Sequence, residues 1–133
     1  MFGCKMERDY VQVMPAFFEA GKQGSLQTAL EALCAEAEAA VRGGAGCLVI
    51  SDRAESLQEG RVPVPMLLAV GAVHHHLISA RLRSDTSLVA DTAQCFSTHH
   101  VAVLVGCALR PCPCPVRSTA VVVVDRAIAD HPP

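Results

Sequence analysis

The stretch Val62 to Ile78, VPVPMLLAVGAVHHHLI, limits this chain's folds more than any other. Met66, Val70, Val73 and Leu77 recur at helical spacing and share one face. Leu67 and Ile78 widen that arc, and Leu68 lies nearly opposite. A helix with oil on most of its circumference must be buried on more than one side. Pro63 or Pro65 opens it, because a proline at the first turn forfeits only a free N–H. The pattern predicts a helix running to about Leu82. It falls short of the ~18 to 20 unbroken apolar residues that cross a bilayer, and three histidines interrupt it. It therefore belongs in a protein core.

The flanking segments say what kind of core. Ser25 is a plausible N-cap, and Leu26, Leu30, Leu33, Ala37 and Val41 then form one helical stripe. Gly43 and Gly44 end that helix, since glycine takes a left-handed cap conformation cheaply. Cys47 to Ile50 is a short apolar run that reads as a buried parallel strand. A polar loop, Ala54 to Val62, leads to the second helix. Thr86 to Ala90 is a second strand, ending at Asp91-Thr92. Ser97 or Thr98 caps a third helix, His99 to Gly106. Alternation of this kind predicts an α/β fold: a partial parallel βαβ unit with right-handed crossovers. Residues 1–24 lack sustained periodicity and read as a leader and loop, and residues 25–106 form the domain. Residues 107–133 form an irregular Pro/Cys-rich tail. CALRPCPCPVRST cannot be a central strand, because its prolines remove ladder donors. Ala120 to Val124 is a lone β-prone run with no assured partner and a possible aggregation site.

Composition narrows the function classes. Hydrophobic residues make up 51% and charged residues 18%, so the chain is globular. Eleven Lys and Arg are scattered and aromatics are 4%, which argues against nucleic-acid binding. A mean hydropathy of +0.34 in a small domain implies surfaces meant to be covered. Seven scattered cysteines, an odd number, argue for reduced thiols and not a secreted disulfide framework. The N-terminal MFGCKMERDY has no signal-peptide core.

Several groups invite chemistry. His74, His75 and His76 suggest a metal, but consecutive helical residues fan out by about 100° each. Helical ligand pairs sit three or four apart. A cross-helix site using His74 or His76 with His99 or His100 is conceivable. The plainer expectation is neutral imidazoles in buried hydrogen bonds. Cys112 and Cys114 form an isolated C-x-C pair, and Cys95 reads as a small buried residue. Ser51-Asp52-Arg53 and Asp91-Thr92 lie at the C-terminal strand ends, where α/β proteins gather ligand sites. No nucleophile with a base accompanies them. Asp52 and Arg53 are expected to fix the strand-end loop and contact a neighbouring domain. Gly43-Gly44-Ala45-Gly46 precedes a strand, whereas a phosphate loop follows one. In Ser97-Thr98-His99-His100, capping explains the hydroxyls better than nucleophilic catalysis.

VPVPMLLAVGAVHHHLI and VADTAQCFSTHH (Val89 to His100), one βα unit apart, resemble the central domain of glutamate synthase over about residues 25–106. The DTAQCFSTHH wording is similar to the ferredoxin-dependent branch. The resemblance implies a rudimentary, TIM-barrel-like central domain. In that family an amidotransferase domain hydrolyses glutamine, and ammonia passes to a synthase domain. There, FMN and an iron–sulfur cluster carry electrons from ferredoxin. The central domain joins the two. By this likeness the chain is a fragment of a glutamate-forming oxidoreductase and an interdomain connector, inactive alone. It has no catalytic residue, no cofactor and no metal ligand of its own, and Cys4 is not the amidotransferase nucleophile. Its partners are the amidotransferase and FMN domains, with ferredoxin for the whole enzyme, and neither nucleic acid nor membrane. The compartment is a plastid for a plant or alga and the cytoplasm for a bacterium; the chain is not secreted. The alternatives are a small His/Cys metal-binding or redox module and, more weakly, an independent α/β enzyme using the strand-end Asp residues. After Gly106 the family continues with a Gly-Tyr-Gly-Ala-like turn that this chain lacks. That change suggests another reading frame or an alternative exon, which translation of the transcript in its other two frames tests. Apolar surface left bare predicts poor solubility or molten packing for the isolated chain.

Overall fold

A computed structural model describes residues 10–53, 60–108 and 120–122. The main sheet has four parallel strands in the order β1 (Tyr10–Pro15), β3 (Ala45–Ser51), β5 (Ser87–Asp91) and β6 (Ala120–Val122). A short antiparallel pair, β2 (Phe17–Glu19) and β4 (Arg61–Pro63), sits beside it. Three helices alternate with the main strands: α1 (Ser25–Arg42), α2 (Met66–Ser79) and α3 (Thr98–Ala108). Each strand of the main sheet lies beside the next one in the chain. The helices pack as one layer, α1 on α2 and α2 on α3.

This is the α/β, parallel arrangement that the alternating pattern predicts, with one strand more at each edge. Residues 10–24 are not a leader and loop. They hold β1, paired along β3 from Tyr10–Ala45 to Pro15–Ser51, and β2. Only Met14 of β1 is fully buried; the alternating Val11 and Val13 face outward, and a run of six residues at a sheet edge is too short to set apart by periodicity alone. Ala120–Val122 is not a lone run: it pairs with β5, Val89 opposite Ala120. Val62 belongs to β4 and not to the loop before it. The C-x-C pair Cys112 and Cys114, along with Cys4, lies outside the described residues.

The core sits between sheet and helices. Met14, Leu48, Ile50, Leu88 and Ala90 meet Leu33, Ala37 and Val41 of α1 and Val70, Val73 and Leu77 of α2. The α1 stripe is as read, with Leu26 and Leu30 packed half-buried at its start. Its cap differs: Gly24, at φ 79°, occupies the cap position, and the Ser25 hydroxyl donates instead to the Glu19 carbonyl at 2.7 Å. At the far end Gly44, at φ 99°, makes the left-handed turn, a conformation that costs a side-chain-bearing residue about 1 kcal/mol or more. Pro65 stands immediately before α2, as its sequence position implies. The helix stops at Ser79, short of Leu82, where Arg81 takes φ 59°. α2 is flanked by helices on both sides, which answers its wide apolar arc, yet Leu67, Leu68 and Ile78 stay partly exposed.

Side chains alternate across the sheet. Tyr10 and Gln12 face the helices: the Tyr10 hydroxyl donates to the Ala40 carbonyl at 3.1 Å, and Gln12 reaches Glu36 at 3.4 Å. Val11 and Val13 therefore face the other way, 58% and 56% exposed. Val13, Val49 and Val89 lie in register across three strands on that opposite face, with half-buried Cys47 beside Val11. Helices on one side only leave this row uncovered by the helix layer.

Candidate functional site

The C-terminal ends of β3 and β5 form a polar knot. Asp52 holds it with two carboxylate oxygens: one accepts the Thr92 hydroxyl and the other the Ala93 N–H at 3.1 Å. The Thr92 oxygen also accepts the Gln94 N–H at 3.1 Å. Gln94 then reaches α2, its amide oxygen accepting the Met66 N–H at 3.0 Å while its NH2 donates to the Val64 carbonyl at 3.1 Å. Gln94 thus caps a helix whose own flanking residue, Pro65, has no side chain to do so. The two strand ends and the start of α2 are tied together by three consecutive residues, Thr92, Ala93 and Gln94.

A second set lies on the uncovered side of the sheet. The Ser51 hydroxyl donates to Asp91 at 3.0 Å, and the Arg53 N–H donates to Ser51 at 3.1 Å. Arg53 Nε stands 3.0 Å from Asp91 Oδ1. The two atoms are close enough to attract as charges but too poorly aligned to form a hydrogen bond, and Arg53 Nη2 is buried with no acceptor among the described residues. Asp52 is thus spent on structure through both oxygens, and Asp91 through one, its Oδ1 keeping only the charge attraction of Arg53. Two clefts lie elsewhere: one of about 440 Å3 near Phe17, Lys22, Thr28 and Arg61, another of about 340 Å3 near Met66, Cys95, His99 and Leu104. Neither of these two clefts includes Asp52, Arg53 or Asp91.

Asp52→Asn keeps one acceptor oxygen but loses the charge that both Thr92 and Ala93 point at. The expected cost is about 1–3 kcal/mol of unfolding free energy, read by urea denaturation. An unchanged midpoint would show that the knot carries no stability.

The three histidines separate as their 100° spacing requires. His74 is buried, and its Nδ1 accepts a hydrogen bond from Arg83 Nε at 2.9 Å. Burial first, then the Arg83 and His75 charges, hold its pKa down at about 4, so the ring is neutral at pH 7. Its Nε2 therefore carries the proton and has no acceptor among the described residues. Arg83 also donates to the Thr86 carbonyl at 2.8 Å, locking the turn before β5. His75 is exposed. His76 reaches across to Glu38 of α1 at 2.7 Å, and Arg42 also contacts that carboxylate. The Arg42 and His76 hydrogen bonds hold the Glu38 carboxyl below its usual range.

His99 and His100 are exposed, and His100 Nδ1 accepts the Phe96 N–H at 3.1 Å. Among the described residues the expectation of buried imidazoles holds for His74 alone; His76 is half-buried, and His75, His99 and His100 are exposed. Among the described residues no group of three or more His, Cys, Asp or Glu could hold a metal ion. Ser97 does cap α3, its oxygen accepting the His100 N–H at 3.4 Å. Cys95 is buried, and burial with the Asp52 charge raises its thiol pKa, which makes it a poor nucleophile. Sequence reasoning missed Gln94 and Arg83. Nothing local marks either one, because each acts on an element distant in sequence.

A glutamate synthase central domain family model matches residues 4–122. The chain belongs to this family. The match starts before Ser25 and runs beyond Gly106. The chain is 54% identical over 97 residues to "Ferredoxin-dependent glutamate synthase 2, chloroplastic" of Arabidopsis thaliana, covering 71% of this chain and 6% of that protein. It is 57% identical over 84 residues to a ferredoxin-dependent glutamate synthase 2 of Synechocystis sp., covering 62% and 5%. Against "Glutamate synthase [NADPH] large chain" of Azospirillum brasilense the identity is 41% over 104 residues, covering 74% and 7%. The higher identities fall on ferredoxin-dependent enzymes, in keeping with the DTAQCFSTHH wording. This central-domain chain spans only about one-twentieth of the length of these relatives. No helix among the described residues is long and apolar enough to cross a membrane.

Proposed function

We propose that this chain serves as the interdomain connector of a ferredoxin-dependent glutamate synthase. It would sit between an amidotransferase domain and an FMN-bearing synthase domain, in a plastid or cyanobacterial setting, and carry out no bond-making itself. The observation that carries this reading is a division of labour. Most of the polar groups at the strand ends pair with one another, and the apolar row with Val11 and Val13 is left open. A reactive site needs free polar groups in a cavity, whereas a spacer needs a rigid frame and an adhesive face. Phe96, 75% exposed and two residues after Gln94 of the knot, adds apolar surface, as do the exposed Leu67 and Leu68 at the start of α2.

FMN and an iron–sulfur cluster do not suit the residues described. Gly43 to Gly46 runs from a helix into β3, the reverse of a phosphate loop. Cys34, Cys47, Cys95 and Cys107 lie on four separate segments. In this reading both groups sit in the rest of the parent enzyme.

The purified chain, given glutamine, 2-oxoglutarate, FMN and reduced ferredoxin, is expected to form no glutamate. Turnover by the chain would overturn the proposal. The open face has a sharper test. With Val13→Lys, the isolated chain should become more soluble, because a charged edge resists sheet-to-sheet association. The same substitution in an Arabidopsis-type synthase carrying this segment should reduce glutamine-dependent glutamate formation by more than about tenfold, since a lysine forced into an apolar contact costs more than ~1.4 kcal/mol. Unchanged activity in that chimera would show that no domain covers the face.

A further inference from the structure

We draw no further inference here: the strongest candidate, the valine-lined face of the parallel sheet opposite the helices (Val11, Val13, Val49 and Val89), belongs to the interdomain contact already proposed, and nothing in the structure shows what else covers it.

Discussion

Leu77→Ala is expected to lower the unfolding free energy by about 2–5 kcal/mol, the usual cost of emptying a fully buried leucine site. Leu77 has no exposed surface, and it packs in the cluster that joins α2 to the sheet. Its neighbours are held from several directions, by α1, β3 and β5, so they cannot collapse into the gap. A domain of this size has about 5–15 kcal/mol in all, so the variant should lie near the edge of folding. Urea denaturation of the chain, carried on a soluble fusion partner, reads the effect. Leu68→Ala, on the partly exposed side of the same helix, is the control and should cost much less. Equal costs at the two positions would mean that α2 is not seated as described.

Acid should weaken the fold through His74. In the folded chain its pKa is about 4, against 6.5 for a free imidazole, so the unfolded chain binds the extra proton between those values. The stability tied to the neutral ring is whole above about pH 6.5. It drains away as pH falls towards 4, then levels off. The loss comes to about 3 kcal/mol by linkage, because each pKa unit is worth about 1.4 kcal/mol. The cause is local: burial is the main penalty on a protonated His74, and the Arg83 guanidinium 2.9 Å away then repels it. Glu38, held below its ordinary pKa by Arg42 and His76, adds a loss only at lower pH, below about 4.5. His74→Gln keeps an acceptor for Arg83 without titrating. It should flatten the curve between pH 6.5 and 4 in a series of urea melts. If the variant keeps the wild-type slope there, another group is responsible.

Both predictions start from α2, and α2 also shows how much a sequence can disclose. Met66, Val70, Val73 and Leu77 announce their face by spacing alone, and all four are buried. His74 is harder. Its position beside Val70 and Leu77 makes burial legible, but its partner Arg83 lies beyond the end of the helix, and no periodicity links them. The strand-end knot divides the same way. Asp52 and Thr92 stand at ends of strands that the apolar runs mark out. That they bind each other depends on β3 and β5 being neighbours, which is a fact of topology. β1 was invisible for a related reason. YVQVMP sets its alternating Val11 and Val13 on the exposed face and buries only Met14 fully, so its apolar spacing does not announce the core side until a neighbour supplies the pairing.

The family likewise lay open in the chain's wording, since DTAQCFSTHH and the proline-led histidine helix are specific strings. The order of helices and strands, the parallel direction of the sheet and the buried stripes follow from local preferences and apolar spacing, which act along the chain. Tertiary structure alone decided which side of the sheet the helices cover, which polar groups are spent on one another, and that Val11 and Val13 stay open. Those outcomes depend on contacts between residues some forty positions apart, such as Asp52 with Thr92, and no local rule records them.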